Sequence, residues 1–86
     1  MKLKVFSIFD SKAEAFNTPF FFNMTGQALR AFEDLAKDPQ AAISKHPEDY
    51  TLFEIGEFDT DTGQLIPLPT PHSLGLAITQ LGETEQ

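Results

Sequence analysis

Residues 2–9, KLKVFSIF, are the stretch of this 86-residue chain that decides its fold. β-Branched and aromatic residues dominate the stretch and it contains neither proline nor glycine, which is the composition of a β-strand. Strand alternation gives it two faces with apolar groups on each: Leu3, Val5, Ser7 and Phe9 on one, and Lys2, Lys4, Phe6 and Ile8 on the other. A strand that is apolar on both faces is typical of a sheet centre, so we predict a central strand at least partly covered on both sides.

The clearest helix signal begins at Thr25, a residue type favoured at helix N-caps. Apolar side chains then recur at helical spacing on one stripe: Ala28, Leu29, Phe32, Leu35 and Ala36. Asp38-Pro39 ends this helix, because the residue before a proline is pushed out of the α region. A shorter C-terminal helix is predicted from Thr70-Pro71 onward, although Gly75 lowers its helix propensity. Its apolar stripe consists of Leu74, Ala77, Ile78 and Leu81.

Three other segments have strand character. Residues 20–22, three consecutive phenylalanines, follow a proline, which a strand tolerates at its first position or at a sheet edge. Residues 50–58, YTLFEIGEF, are the most convincing, and Gly56 within them indicates a bulge or a close approach by another backbone. Residues 64–68 predict a short return strand, and the proline within it favours the edge of the sheet.

The order of these segments, β-β-α-β-β-α, predicts an α+β domain. We expect a small antiparallel sheet of about four strands, with one main amphipathic helix and a short C-terminal helix against one face. Residues 13–18 are predicted as a polar connection and residues 46–49 as a turn. The single domain is expected to span residues 1–81, with residues 82–86 as a frayed tail.

The composition limits how so small a domain is stabilised. With no cysteine and two histidines, disulfides are excluded and a dedicated zinc site is not expected, which leaves oligomerisation as the available reinforcement. The longest apolar run, residues 19–22, is far too short to cross a bilayer, and no signal-peptide pattern follows the first strand. We therefore expect a cytoplasmic homo-oligomer without membrane contact.

No group of residues in the sequence predicts catalysis, a metal site or a cofactor. The chain has no cysteine and no serine in a nucleophile-elbow motif, and His46, with Asp49 nearby, is typical of a solvated turn. The acidic stretch 59–63 begins like a calcium loop but lacks the distant glutamate ligand, so a plain hairpin turn explains it. Glu54 and Glu57 are expected on opposite faces of their strand, which argues against a shared acid/base site. We therefore predict that the protein is not an enzyme.

The first strand offers the best candidate surface for nucleic acid. Lys2, Lys4 and Phe6 share one face, with Lys12 just beyond the strand. Alternating basic and aromatic side chains hold single-stranded nucleic acid by pairing with phosphates and stacking on bases. The alternative is a purely structural role, in which Phe6 is a core residue and the lysines protect a sheet edge. The net charge of −7 favours this alternative, because it opposes phosphate binding. Further candidates are Arg30, Lys37 and Lys45 on helices, and Tyr50 and Phe58, which are expected to share a strand face.

The run Phe20, Phe21 and Phe22 is the second unusual feature of the sequence. If these rings point outward, they form an exposed apolar patch, and such patches usually mark a surface for a partner or for a second copy of the chain. The alternative is burial of the rings beneath the main helix.

Four longer strings together resemble one known family: MKLKVFSIFDSKAEAF at 1–16, GQALRAFEDLAKDP at 26–39, KHPEDYTLFEIGEFD at 45–59 and LPTPHSLG at 68–75. They resemble the small non-structural protein of gokushovirus-type microviruses, which are bacteriophages with circular single-stranded DNA genomes. The resemblance covers residues 1 to about 78 and implies a DNA-binding role in viral genome replication, in the host cytoplasm. It transfers no functional residue by position, because it brings no catalytic motif.

The residues and the resemblance leave two hypotheses. The first is an accessory protein of phage replication that binds single-stranded DNA through the first strand. The second is an acidic protein-interaction module, an adaptor or a DNA mimic. It would bind a phage or host replication or assembly protein through the acidic turn and exposed phenylalanines.

Overall fold

The computed structural model describes the backbone of residues 1–84 and the side chains of residues 1–80. The strands are β1 (Lys2–Asp10), β2 (Ala15–Phe16), β3 (Phe20–Phe22), β4 (Tyr50–Asp59) and β5 (Leu65–Leu76). The helices are α1 (Thr25–Lys37), α2 (Ala42–Lys45) and α3 (Ala77–Thr84), with a 3₁₀ turn at Pro47–Asp49. The predicted α+β class with an antiparallel sheet is therefore confirmed.

β1 lies at the centre of the five-stranded sheet, as its two apolar faces predict. β4 pairs antiparallel with β1 along its whole length, and β5 pairs with the far side of β4. The other edge of β1 is divided between β3, opposite residues 4–6, and β2, opposite residues 9–10. The resulting order is β2–β1–β4–β5, with β3 also against β1.

β2 is a strand that the sequence did not predict, because it lies in the expected polar connection 13–18. Its pairing places Phe16 directly opposite Phe9, with the two ring centroids 4.9 Å apart. Cross-strand aromatic pairs contribute about 0.2–1 kcal/mol. The turn before β2 is held by Asp10, whose Oδ1 accepts the backbone N–H of Lys12 at 3.0 Å. The ring pair, the turn at Asp10 and backbone pairing with β1 therefore order this segment.

The hydrophobic core lies between one face of the sheet and the helices, and we call this side of the sheet the helix face. Phe6, Phe32 and Leu52 are each fully buried there. Burial of one such side chain contributes about 1.5–3 kcal/mol. The complete cluster consists of Phe6, Ile8 and Leu52 from the strands, Ala28, Phe32 and Ala36 from α1, Ile43 from α2 and Ala77 from α3.

Helix α1 follows the prediction closely at its C-terminal end and differs by one residue at its start. Its N-cap is Met24, in extended backbone, rather than Thr25. The backbone N–H of Met24 donates to Oε1 of Gln27 at 3.1 Å, so a residue inside the first turn does the capping. The helix ends before Asp38, as the following proline requires. Leu35, predicted on the apolar stripe, is 38% exposed and lies at its margin.

The C-terminal helix begins later than predicted, because residues 70–76 belong to β5. Pairing with β4 continues to Leu76, which lies opposite Thr51. The ladder breaks after Pro67 and resumes at His72, so the proline-rich stretch between them bulges out of the edge strand. Helix α3 then continues to Thr84, into the predicted tail, whose residues 85–86 lie outside the described part of the chain. No helix in the described range is both long and apolar enough to cross a membrane.

Gly56 lies at a bulge in β4 and also at a close approach of β5, so both features that its position indicates are present. The register with β1 shifts between the pairs Val5–Gly56 and Phe6–Glu54, which leaves Ile55 as the extra residue. On the other side, a Cβ on Gly56 would lie 2.6 Å from the carbonyl oxygen of Ile66. No larger residue fits this backbone geometry without movement of β5.

Candidate functional site

The lysines of the first strand lie beside carboxylates of β4. Lys4 Nζ is 3.5 Å from Glu54 Oε2, and Lys2 Nζ is 4.0 Å from Glu57 Oε1. The pairs are partly exposed and add little to stability. They do, however, balance the charge of the strand locally. The predicted basic surface is therefore a mixed surface of alternating sign.

The bulge at Gly56 explains why those carboxylates meet the lysines. One extra residue in β4 shifts its alternation, so Glu54 lies opposite Phe6 and Glu57 lies opposite Lys4, on the same face. The expectation that Glu54 and Glu57 occupy opposite faces is therefore wrong. The same shift separates Tyr50 and Phe58, which were expected to share a face.

Phe6 was predicted as a base-stacking contact, and the structure contradicts this. Its side chain is 0% exposed and belongs to the core, so its ring is inaccessible to a base. The ring centroid lies 6.0 Å from that of Phe20 and 6.5 Å from that of Phe22. The alternative is correct in placing Phe6 in the core. The lysines beside it, however, lie on a central strand and not at a sheet edge.

The remaining basic candidates do not converge on the first-strand lysines. Lys2 and Asp10, the two ends of β1, are separated by roughly 25 Å of extended strand, and Lys12 lies beyond Asp10. Arg30 lies on α1, which packs across the helix face. On the same helix, Lys37 Nζ is 3.1 Å from Glu33 Oε2. The described structure therefore brings together no cluster of these cations.

The predicted phenylalanine patch is divided between the two sides of the sheet. Phe20 and Phe22 are half-buried and pack against the core, so they form no outward surface. Phe21 points to the opposite side and is 43% exposed. Strand alternation explains the division, since consecutive residues of β3 face opposite ways.

The side of the sheet opposite the helices carries five phenylalanine rings, and we call it the aromatic face. Phe9, Phe16 and Phe53 form one group, with ring centroids 4.9–6.3 Å apart. Phe21 and Phe58 form a second group at 5.7 Å. Phe16 is 46% exposed. The buried residues of the helices all belong to the cluster on the helix face. The aromatic face therefore has no helix packed on it within the described part of the chain.

The aromatic face is also free of charge along its strands. The register places every charged residue of β1 and β4 on the helix face: Lys2, Lys4, Asp10, Glu54, Glu57 and Asp59. Strands β2, β3 and β5 contain no Asp, Glu, Lys or Arg. The sheet thus carries all the charged side chains of its strands on the helix face, beside the hydrophobic core, and none on the aromatic face. This separation of charge is the main chemical feature of the molecule.

A groove of about 330 Å³ crosses the aromatic face near β5. Its walls include Phe21, Ile55, Leu65 and Pro67, and Gly56 forms part of its floor. Leu65 is 64% exposed. The groove has the size and the apolar lining to receive one or two apolar side chains from another molecule.

The N-terminal half of the aromatic face is fixed by a buried hydroxyl. Ser7 is 1% exposed, and its Oγ–H donates to the carbonyl oxygen of Asn17 at 2.6 Å. This bond ties the connection between β2 and β3 to the central strand. It thereby holds Phe16 and Phe21, on either side of that connection, in place.

A sequence profile of the phage ORF5 protein family matches residues 3–80, nearly the whole chain. The chain belongs to the phage ORF5 protein family. It is thus a bacteriophage protein, in agreement with the phage resemblance of its sequence. No curated protein and no solved structure matches it significantly.

Two acidic groups of this phage protein lie outside the aromatic face. The hairpin between β4 and β5 uses its carboxylates internally: the backbone N–H of Asp61 donates to Asp59 Oδ1 at 2.9 Å, and this bond is the main cause that lowers the pKa of Asp59. Gly63, with φ of +76°, closes the turn, as a plain hairpin requires. At the 3₁₀ turn, ligand-type atoms of His46, Glu48 and Asp49 lie within 4.8 Å of one another, in a largely exposed setting.

Sequence reasoning missed most of the aromatic face. Phe9 and Phe53 were not singled out, and Phe16 was assigned to a connection. The signal that could have found them is the odd-numbered face of β1, which carries no charge from Leu3 to Phe9. The uncharged face of β4 is harder to recognise in the sequence, because simple alternation ignores the bulge and puts Tyr50 and Phe58 on one face.

The pKa of Tyr50 tests how the first residue of β4 packs on the helix face. Burial is the main cause that raises its pKa, and the negative charges of Asp10 and Asp49 raise it further. The neutral phenol is therefore favoured in the folded state, and the stability associated with it is present below pH 10 and lost as pH rises through the folded pKa. Tyr50 is the sole tyrosine and the chain has no tryptophan, so the ultraviolet absorbance of phenolate reports this residue alone.

We expect an absorbance titration midpoint above the ordinary tyrosine value of about 10. The variant Asp10→Asn should move the midpoint downward, because it removes a negative charge and keeps an oxygen for the turn. A wild-type midpoint at or below the value of the unfolded chain would contradict the placement of Tyr50.

Proposed function

We propose that the chain is a non-enzymatic accessory protein of genome replication in a single-stranded DNA phage, acting in the host cytoplasm through contacts with other proteins. The gokushovirus-type resemblance supports the replicative setting. The phage ORF5 family match supports the phage origin. The distribution of charge and of aromatic rings in the structure supports contacts with proteins as the mode of action.

The observation that carries the proposal is the pairing of the first-strand lysines with carboxylates. A phosphate backbone needs clustered, available cations, and its affinity comes largely from displaced counterions. Lys4 and Lys2 instead neutralise Glu54 and Glu57, and the exposed rings lie on the side of the sheet without strand charges. This arrangement favours a protein partner over a nucleic acid.

The excess of carboxylates indicates the chemistry of that partner. The net charge is −7, with 13 acidic residues against 6 basic ones. Glu14, Asp34 and Glu48 are exposed and form no ion pair in the described structure. A basic replication or assembly protein, of the phage or the host, would be attracted to such a surface over several ångströms of solution.

The test is capture from infected cells with the full chain as bait, followed by nuclease treatment. We expect a basic phage or host protein to remain bound after nuclease and to elute with salt. The triple variant Glu14→Gln/Asp34→Asn/Glu48→Gln should retain several-fold less of it, because it removes three charges without touching the core. The matched control Lys12→Gln/Lys45→Gln makes the bait more acidic and should retain at least as much.

Single-stranded DNA is the second candidate, and one observation favours it. Phe16, 46% exposed, lies on β2, which the turn containing Lys12 joins to β1. Stacking of a base on such a ring is worth about 1–3 kcal/mol. If nuclease releases every captured partner, and Phe16→Ala bait retains less DNA than wild type, this second function replaces the first.

A further inference from the structure

We infer that the aromatic face is a self-association surface, on which a second copy of this chain packs to form a two-fold symmetric dimer. This inference does not depend on the proposed function. It differs from the sequence-based expectation in its location. Of the predicted run of phenylalanines, only Phe21 lies on this face, and the other contacts come from residues that the run does not include.

The distribution of charge identifies a second copy as the occupant. Each copy carries a net charge of −7, so most mutual approaches of two copies are repulsive. The aromatic face is the side on which the strands of neither copy would present a charge to the other. A two-fold interface brings identical patches together, so it requires a patch without like charges at its centre. The aromatic face satisfies that requirement.

The dimensions of the face are compatible with a dimer interface. The molecule measures 41 × 27 × 22 Å, and the sheet spans much of its longer dimensions. A standard interface buries about 800 Å² per partner. Phe16, Phe21 and Leu65 are 46%, 43% and 64% exposed, so these side chains and the groove beside Leu65 offer the area that a second copy would bury.

The geometry of sheet packing is compatible with such a contact. Two sheets stack face to face at about 10 Å, with side chains of the two inner faces interdigitating. The groove lined by Phe21, Ile55 and Leu65 provides a recess, and Phe16 provides a protruding ring. A recess and a protrusion on the same face are what a self-complementary surface needs.

A small core makes this reinforcement useful. The chain has no cysteine to form a disulfide. Its core cluster contains eight buried residues, and three of them are alanines: Ala28, Ala36 and Ala77. Domains of this length commonly gain stability from oligomerisation. Dimerisation would convert the single sheet into a two-sheet sandwich with a second apolar layer.

The experiment is analytical ultracentrifugation and light scattering of the purified full chain over a wide concentration range. We expect a mass of twice the 9.6 kDa monomer, falling toward the monomer on dilution. Phe21→Glu and Leu65→Glu should each yield monomer at concentrations where the wild type is dimeric. Both residues are at least 43% exposed, so the variants are expected to fold, and circular dichroism checks this.

The matched control is Leu35→Glu, which adds the same charge at a leucine of 38% exposure on α1, away from the aromatic face. It should leave the dimer intact. A wild-type chain that stays monomeric at every concentration would overturn the inference. So would equal dissociation by Leu35→Glu and Phe21→Glu. A monomer whose Phe21→Glu variant loses a phage protein or an oligonucleotide would assign the face to that ligand instead.

Discussion

Replacement of Phe6 by alanine is expected to destabilise the protein by about 3–5 kcal/mol, the range for deletion of a buried phenylalanine. Phe6 is 0% exposed and contacts the core cluster from the central strand. A chain of this length has a total stability of roughly 4–13 kcal/mol. The variant therefore loses a large fraction of its stability, and it separates a core role for Phe6 from a ligand-binding role.

Urea denaturation followed by circular dichroism measures the effect. The control Phe6→Leu keeps an apolar side chain of moderate size and should cost less than half as much. If Phe6→Ala unfolds at the wild-type urea concentration, the ring is not in the core and its assignment to base stacking returns.

Replacement of Gly56 by alanine is the second large expected effect, and its cause is a lack of space rather than a cavity. A Cβ at this position would lie 2.6 Å from the carbonyl oxygen of Ile66 and 3.2 Å from Cα of Pro67, both backbone atoms. Backbone cannot rotate away as a side chain can, so β5 must shift. Overpacking of this kind typically costs about 1–3 kcal/mol, and the shift would also disturb the groove wall.

Gly26 offers a matched control for the same substitution. It lies in the first turn of α1, and a Cβ there meets nothing within 4 Å. Gly26→Ala should therefore raise stability by about 0.5–1 kcal/mol, because alanine loses less backbone entropy in a helix. Opposite signs for the two variants in thermal denaturation are expected. Equal effects would contradict the close approach of β5 to Gly56.

The elements defined by strong local chemistry were predictable from the sequence. The two apolar faces of residues 2–9 identified the central strand, and Asp38-Pro39 fixed the end of α1. Gly56 was identified as a bulge or a close approach, and it is both. Each of these features depends on covalent geometry or on alternation within one segment, which the sequence contains directly.

The features that depend on pairing between distant segments were not predictable. Residues 70–76 carry a helix-start signal, yet β4 offers them a ladder of hydrogen bonds and they extend β5 instead. The pairing of Lys4 with Glu54 depends on the bulge in a strand about 50 residues away along the chain. Local propensity cannot show which of two competing partners a segment will meet.

The exposed rings of the candidate site could not be predicted from the sequence either. The sequence contains nine phenylalanines but does not say which of them the helices cover. Phe6 and Phe21 both lie on strands, and their local sequence does not show which of them is covered. The position of α1 places Phe6 in the core and leaves Phe21 on the aromatic face. The covering layer, not the strand pattern, decides which rings are available to another molecule.

The bulge in β4 determines on which face of the sheet each later residue of that strand lies. If Ile55 took a regular position in the ladder instead of bulging out, the residues after it would slip by one position, and a one-residue slip exchanges the two sides of a strand. Glu57 and Asp59 would then lie on the aromatic face, and Phe58 would lie on the helix face. The bulge, and not only the composition of β4, therefore determines which surface carries the charges of that strand.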